Sequence, residues 1–474
     1  MAVIKKNNMS ALKISFIRHL AVADEVIPPL HFAYLASNLS RKHSVKIYEQ
    51  LRDRYSDEQL IETILQEKPD ILGFSAFTKD IKHIHDLVSK IRPKLSGTKI
   101  VLGGVQMTMM PEETYKYMDN LIDFGFAGES EHAFSLFVEF LDSNRSGVGL
   151  EEVPNLIWKE NGAIKRNKMN FTENLDDLEF PLWELIPPNS YPKAPHGAFM
   201  RQFPIAPTVT SRGCPYACTF CAAGSISGKR ARYRSVDNVI EEIKYLKKRF
   251  GVREIHIEDD NFSFKRERVV DFSERLLKED MGITWALPNG LRLNSLDIKT
   301  LKLMRRAGCY AVNVGVESGN DGILKKIKKG ITKETIRSKI LLVKEAGIDV
   351  GGFFIIGFPG ETVKEIKETI DFSRLLPLDR IGVSYFQPYP GTEEYNKLAE
   401  RGEYKFDLAN SKHTLHTISY VPKNLTRKEL KKWRFKAFTS FYLRPRIFIK
   451  LVKEIRSFEQ MKYIIKRGLR WLNN

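Results

Sequence analysis

Cysteine is scarce, at four in 474 residues. So few exclude a disulfide framework and point to a compartment where thiols stay reduced. Long apolar runs are missing too. No stretch reaches the ~18 residues needed to cross a bilayer. The opening MAVIKKNNMSALKISFIRHLAVADE has neither the apolar centre nor the small-residue cleavage site of a secretory signal. The expectation is a cytoplasmic protein. Absence of G-x-G-x-x-G and of a Walker loop weakens dinucleotide and nucleoside-triphosphate readings. Acidic residues are outnumbered, 58 to 76, for a formal net charge of +18. Most of that excess lies beyond Gly402, where 18 Lys and Arg face five acids. Nucleic acid, an anionic membrane or a solvated basic surface would each account for it.

The remaining composition is that of an ordinary globular chain, and 474 residues exceed one compact core, so two or three domains are expected. Over residues 1–145, ALKISFI, SVKIYE, ILGFSAF, KIVLGGV and LIDFGFAG read as strands. They alternate with helical patterns such as PLHFAYLASNLSR and IKHIHDLVSKIRPKL. This predicts an α/β fold with a doubly wound parallel sheet, which binds ligands beyond the carboxyl ends of its strands. Residues 146–200 read as a linker, with a hairpin turning at Asn161-Gly162 and a proline-punctuated run. Residues 201–398 resume the alternation with six strand candidates, APTVTSR, EIHIEDD, TWALPNG, AVNVGVESG, VGGFFIIGFPG and IGVSYFQPYPG. They predict a partial (β/α)6 barrel with its chemistry in the loops after the strands. Residues 399–474 read as a basic helical region.

Three of the four cysteines fall within TSRGCPYACTFCAAG, as Cys214, Cys218 and Cys221 in a C-x3-C-x2-C spacing. Thiolates suit zinc and iron–sulfur clusters. A structural zinc site closes with four protein ligands, and here only distant Cys309 and His196 are available as a fourth. Three ligands on a four-iron cluster leave one iron open to a small molecule. Cys309, at a helix-to-strand junction, reads as a buried small hydrophobe.

CPYACTFC after a predicted strand resembles the cluster motif of the radical S-adenosylmethionine (radical SAM) superfamily, and the resemblance extends over the barrel region. It implies a [4Fe-4S] cluster on Cys214, Cys218 and Cys221, with Tyr216 and Phe220 of the same loop beside SAM. SAM would chelate the open iron through its methionine amino and carboxylate groups. Its reductive cleavage, fed by an external electron donor such as flavodoxin or ferredoxin, would give a 5′-deoxyadenosyl radical. In IEDDNF, Glu258, Asp259 and Asp260 resemble the acidic group that holds the SAM ammonium, with a helix N-cap as the alternative. In GVESG, Glu317 and Ser318 resemble contacts to the SAM carboxylate or ribose. Arg292 is a further carboxylate candidate. IIGFPGET places Gly357 and Pro359 on the adenosine side, where glycine lets backbone approach closely. QPYPGTEEY resembles the superfamily's closing motif.

Three glycine-bearing loops of the first domain carry Ser75 and Thr78, then Gly103, Gly104, Val105 and Gln106, then Gly128 and Glu129. Their order resembles the cobalamin-binding domain that precedes many radical SAM barrels. IPPLHFAYLASNL resembles that family's first helix and ENLDDLEFPLWELIP its linker, so the resemblance covers about the first 400 residues. D-x-H-x-x-G is absent, and His83 and His85 read as surface residues of a helix. Cobalamin is therefore expected without histidine beneath cobalt, an empty domain being the alternative. In the tail, Trp433, Phe438, Phe441, Leu451, Ile455 and Phe458 form a helical stripe. Its first reading is packing on the barrel; contact with anionic lipid is the second, and nucleic acid, for which no module is visible, the third. Pro445 should interrupt the helix. The resemblance implies a cobalamin-dependent radical SAM enzyme that methylates an unactivated carbon of a small-molecule or lipid substrate. Its alternatives are an oxidative cyclase or carbon–carbon bond-forming enzyme, and a non-catalytic cobalamin or iron–sulfur sensor.

Overall fold

The computed structural model describes residues 11–19, 26–142, 149–196, 199–408, 414, 416–455 and 461. They form two compact units. The first takes the described residues before Val22 with Pro29–Thr172 and Leu178–Ile186; the second takes those of Ala23–Pro28, with Glu173–Asp177 and the chain from Pro187.

The first unit runs β1 (Lys13–Arg18), α1 (Leu30–Leu39), β2 (Ser44–Glu49), α2 (Gln50–Asp53), α3 (Asp57–Glu67), β3 (Ile71–Ser75), α4 (Ile81–Ile91), β4 (Lys99–Gly103), α5 (Val105–Met109), α6 (Pro111–Met118), β5 (Phe124–Phe126), α7 (Glu131–Leu141), β6 (Leu156–Glu160) and β7 (Ala163–Arg166). The sheet order is β2-β1-β3-β4-β5-β6-β7, the first five strands parallel and the last two antiparallel. Strand order reverses between β1 and β3, the switch point of a doubly wound sheet. Phe16 of β1 stacks on Phe32 of α1 at 4.9 Å. Gly73 leaves room for that ring, since a Cβ there would lie 2.6 Å from it. The Asn161-Gly162 hairpin is present, with positive φ at both residues as a tight hairpin turn requires. It does not stand in a linker, however. Leu156, Ile157 and Trp158 of β6 are buried and pair with β5, so the hairpin extends the first sheet. Downstream, Leu182 N donates to Ala33 O at 3.0 Å and Trp183 is fully buried, so that part of the proline-rich run belongs to the first unit.

The second unit runs β8 (Ile205–Thr208), β9 (Ser211–Arg212), α8 (Ala223–Ile226), β10 (Arg232–Tyr233), α9 (Val236–Phe250), β11 (Glu254–Ile257), α10 (Arg266–Lys278), β12 (Thr284–Leu291), α11 (Ile298–Arg306), β13 (Cys309–Glu317), α12 (Asp321–Lys326), α13 (Lys333–Glu345), β14 (Asp349–Ile356), α14 (Val363–Leu375), β15 (Arg380–Tyr385), α15 (Glu393–Glu400), α16 (Arg427–Tyr442) and α17 (Pro445–Glu454). Six parallel strands lie in the order β8-β11-β12-β13-β14-β15, the partial barrel expected from the six strand candidates. Four of the helices between them, α9, α11, α12 and α13, start at side-chain caps, as Ser235, Asp297, Asn320 and Thr332 each accept a backbone N–H of the first turn.

At the amino-terminal ends of the strands, Glu254 is wholly buried and collects five donors. His256 Nε2 (2.8 Å) and Tyr310 OH (2.6 Å) meet one oxygen; Arg201 N (2.8 Å), Gln202 N (2.5 Å) and Thr284 Oγ1 (3.2 Å) meet the other. Phe199, Ala286, Tyr310 and Ala311 close around the network. Burial alone would raise the carboxyl's pKa, but the bonds from His256, Tyr310 and Gln202 N win and hold it below its ordinary 4.5.

Among the described residues of the basic tail two helices follow a non-helical stretch, α16 and α17, separated at Pro445, which starts α17. Trp433, Phe438 and Phe441 are buried in the second unit, as a packed stripe requires. Tyr442 OH donates to Ile381 O (2.7 Å) and accepts from Ile381 N (3.0 Å), and Arg434 Nε donates to Val383 O (3.0 Å), so α16 lies along β15. Leu451 and Ile455 are half-buried, and Phe458 lies outside the described residues.

Glu254→Ala would strand several buried donors and should cost about 3 kcal/mol or more, against about 1 kcal/mol for Tyr310→Phe; chemical denaturation of the two variants measures both. Because the folded carboxyl titrates below 4.5, its stabilisation is complete above that value and is lost as pH falls through the folded pKa. Glu254→Gln should therefore flatten the acid limb of a stability–pH curve.

Candidate functional site

The three clustered cysteines sit on the loop between β9 and β10. These two short strands pair antiparallel, Arg212 with Arg232 and Ser211 with Tyr233, and pinch the loop at its base. Gly213 enters it with φ 87°, and a Cβ there would lie 2.3 Å from Arg230 O, so only glycine fits. Cys214 N bonds Gly228 O (3.1 Å) and Cys221 N bonds Cys218 O (3.2 Å). Thr219 ties the loop outward, its N–H to Ile327 O (3.1 Å) and its carbonyl to Glu394 N (3.0 Å).

Burial pushes the Cys214 thiol up, and the charges of Asp260 and Cys218 add to it. Cys221 as a residue is exposed, yet desolvation of its thiol, together with Cys218, Cys214 and Asp260, pushes it up to about 11. Among the described residues no three His, Cys, Asp or Glu side chains stand in ready-made metal geometry. What the loop does provide is three thiols within electrostatic reach of one another. Such groups ionise together only when a cation compensates them, and soft iron does so. Cys309 is fully buried at the start of β13, its thiol pushed far up by burial, and takes no part.

The acidic run after β11 divides by role. Asp259 is buried, and its carboxylate accepts Thr210 N (2.6 Å), Thr210 Oγ1 (2.6 Å) and Ser211 Oγ (2.7 Å). Those bonds join the ends of β11 and β8 and engage the group in holding the base of the cysteine loop. Asp260 is exposed, and its charge acts on Cys214 and Cys221. Glu258 is half-buried. Arg292 lies with its guanidinium 3.6 Å from the ring centre of Tyr216 and donates to Lys329 O (2.6 Å) and Gly330 O (3.1 Å). Glu317 has φ 63° and an ion pair with Lys329 at 2.7 Å. Ser318 is buried and bonded to Thr369 Oγ1 and Asn320 N, so it secures the turn into α12.

Gly357 has φ 88°, and Pro359 O accepts from Lys326 Nζ. Between them Phe358 meets Phe220 of the cysteine loop at 5.8 Å and Phe386 at 5.4 Å. Glu361 is fully buried and accepts Gly357 N (2.5 Å) and Phe358 N (3.1 Å); burial pushes its carboxyl up to about 8. Lys329 and Glu361 are not marked by the sequence pattern. Lys329 stands in LKKIKKGIT, where four lysines look like a solvated face; the only signal was Gly330 just after it, marking a sharp turn.

In the first unit the glycine loops come together at the carboxyl ends of β3, β4 and β5. Thr78 Oγ1 donates to Gln106 Oε1 (2.8 Å), Gln106 N to Ala76 O (2.9 Å), and Gly128 N to Thr108 Oγ1 (2.8 Å). Gly104 has φ 91°, and a Cβ there would lie 2.7 Å from Ser75 Oγ. At Gly103 a Cβ would lie 3.9 Å from Phe74 O, an ordinary contact. Ser75, Val105 and Glu129 are half-buried. His83 and His85 are partly exposed on α4, beside Asp57 (3.3 Å) and Asp86 (3.4 Å).

Residues 208–373 match the radical SAM superfamily model, and residues 19–138 match the B12-binding domain model. The chain is 34% identical, over 94% of its own length and 93% of the relative's, to a protein of Pyrococcus horikoshii named as an uncharacterized methyltransferase. It is 26% identical to the cytidylyl-2-hydroxyethylphosphonate methyltransferase of Streptomyces wedmorensis, over 83% of this chain and 80% of that one. To the anaerobic magnesium-protoporphyrin IX monomethyl ester cyclase of Rubrivivax gelatinosus it is 27% identical, over 85% and 71%. The fold is shared with the radical SAM methyltransferase TsrM of Kitasatospora setae, at a TM-score of 0.69, 17% identity, and coverage of 88% of this chain and 83% of that one. The chain belongs to the radical SAM superfamily, in the methyltransferase-like branch that carries a B12-binding domain. Its cofactors are a [4Fe-4S] cluster, SAM and cobalamin. The three coupled thiols fit the cluster, and the glycine-edged loops at the carboxyl ends of β3, β4 and β5 fit a bulky ligand that approaches backbone.

Anaerobically reconstituted protein should hold about four irons per chain, the content of such a cluster. Alanine at Cys214, Cys218 or Cys221 should abolish SAM cleavage, and Cys309→Ala should retain it. Iron analysis and 5′-deoxyadenosine release check both; cleavage surviving in any of the three loop variants contradicts the ligand assignment.

Proposed function

We propose that this protein is a cytoplasmic methyltransferase that places a methyl group on an unactivated carbon of a small-molecule substrate. The observation that carries the reading is a three-thiol loop, held on a partial barrel, in a chain that also contains a B12-binding domain. When bound, the cluster with SAM supplies radical initiation, and cobalamin supplies a methyl carrier. The chain's own residues bind, orient and shield. Asp259 fixes the base of the cysteine loop; Arg292, over the ring of Tyr216, presents positive charge to a carboxylate; Asp260 offers a negative charge to an ammonium. Phe220, Phe358 and Phe386 form an apolar wall that keeps water from a reactive intermediate. Electrons come from an external donor such as flavodoxin or ferredoxin. A second reading, oxidative cyclisation, is favoured by the similarity to the Rubrivivax cyclase.

The two readings separate by isotope. Reduced protein, loaded with cluster and hydroxocobalamin and given methyl-deuterated SAM with candidate substrates, should release 5′-deoxyadenosine and put the label into product. A product that has lost hydrogen and gained no label supports cyclisation instead. Cobalamin should stay with the protein through gel filtration, also in His83→Ala and His85→Ala.

The basic tail adds a membrane contact to this reading. No helix among the described residues is long and apolar enough to cross a membrane. Leu443, Phe448, Ile449 and Val452 nevertheless stand 73%, 58%, 51% and 52% exposed on and beside α17, with exposed Arg446 and Lys453 among them. Such a face suits an anionic lipid surface. The aromatic residues Trp433, Phe438 and Phe441 cannot serve there, being buried. Sedimentation with anionic vesicles should be strong at low salt, where each basic side chain near the surface contributes about 1 kcal/mol. It should weaken as salt screens charge, and fall further in Phe448→Ser/Ile449→Ser. Equal sedimentation with neutral vesicles would contradict the contact.

A further inference from the structure

Lys329 follows α12 with its side chain 14% exposed and its ammonium 2.7 Å from Glu317 Oε1. Two features show that this pair is built in. Glu317 is held at φ 63°, a strained conformation for a residue with a side chain. Position 315 is glycine, and a Cβ there would lie 2.4 Å from Glu317 Oε1 and 2.7 Å from Lys329 Nζ. The pair occupies the space that any other residue at 315 would fill.

The segment carrying Lys329 is also fastened to the cysteine loop. Ile327 O accepts Thr219 N at 3.1 Å, between Cys218 and Cys221. Lys329 O accepts Arg292 at 2.6 Å, and Arg292 lies on Tyr216. Burial works against the Lys329 ammonium, and the negative charges of Glu317 and Cys218 overcome it. A cluster held by three thiolates is negative and gains one more negative charge on reduction. A nearby buried cation favours the reduced form, and a nearby anion opposes it.

We propose that the Glu317–Lys329 pair sets the reduction potential of the cluster, Lys329 favouring reduction and Glu317 offsetting it. This rests on the assignment of the cluster to Cys214, Cys218 and Cys221. Both residues are positioning groups in this role, acting on the cluster through space.

The test is a redox titration of anaerobically reconstituted protein without SAM, with dithionite and mediators, the reduced cluster followed by electron paramagnetic resonance. Lys329→Met should lower the ratio of reduced to oxidised cluster at fixed potential by about tenfold, or about 59 mV for one electron. Glu317→Gln should raise that ratio, the double variant should return toward wild type, and Lys329→Arg should match wild type. A merely structural role cannot give opposite signs for the two single variants. Unchanged potentials, or shifts of the same sign, at equal iron content overturn the proposal while leaving the cluster in place. Wild-type protein that takes up no iron overturns the cluster assignment and the proposal with it. If Lys329→Met fails to assemble a cluster, Glu317→Gln and Lys329→Arg still decide.

Discussion

The second unit depends on one carboxylate. Asp259 closes three hydrogen bonds onto Thr210 and Ser211, where the first barrel strand ends and the cysteine loop begins. That clamp fixes the point from which β9 pairs with β10, beside the backbone bonds from Glu258 N to Thr208 O (2.9 Å) and Arg234 N to Thr210 O (3.0 Å). Arg268 reinforces it by donating to Thr210 Oγ1 and O, both at 3.1 Å. The thiols themselves contribute nothing to this frame. They are placed by it, on a loop whose entry only glycine can make. A soft, oxygen-sensitive centre is thus carried by a scaffold that folds from ordinary polar and apolar contacts.

Much of this was legible in the residues. Strand and helix alternate with clear periods, so the eleven parallel strands and their two sheets could be placed from pattern alone, as could the interruption of the tail helix at Pro445. The cysteines announce themselves by crowding in a chain that otherwise avoids them. The hairpin was visible as a hairpin, but its partner was not. Pairing of β6 with the three-residue β5 depends on an unfilled sheet edge, which no local pattern records. The acidic run shows the same limit. Glu258, Asp259 and Asp260 look alike as letters, and only burial separates the clamp Asp259 from its exposed neighbour Asp260. Lys329 was hidden because a lysine run ordinarily means solvent, and its burial follows from the turn between α12 and α13.

Each unit applies the same rule to a different ligand. In a parallel sheet the carboxyl ends of the strands gather loops whose backbone N–H groups and glycines approach a ligand closely, while the opposite end is left for stability. The first unit puts Ser75, Thr78, Gly103, Gly104, Gly128 and Glu129 at that end. The second puts its cysteines, Arg292, Glu317 and Gly357 there, and buries the Glu254 network at the other. The division explains why a fully buried glutamate with five donors stands far from the chemistry, and why the strained residue Glu317 stands within it.

The bonds from Tyr442 and Arg434 to Ile381 and Val383 carry one more consequence. A barrel that stops at six strands leaves its last strand with unpaired backbone groups along one side, an invitation to pair with another chain. Here two side chains of a helix satisfy those groups, as a neighbouring strand otherwise would. The aromatic stripe of α16 is then the adhesive of a cover, and the basic tail begins as a guard against aggregation. A catalytic fragment cut for expression after α15 would carry the cysteines, the clamp and the charge pair intact, and would have lost the part that keeps it from sticking to itself.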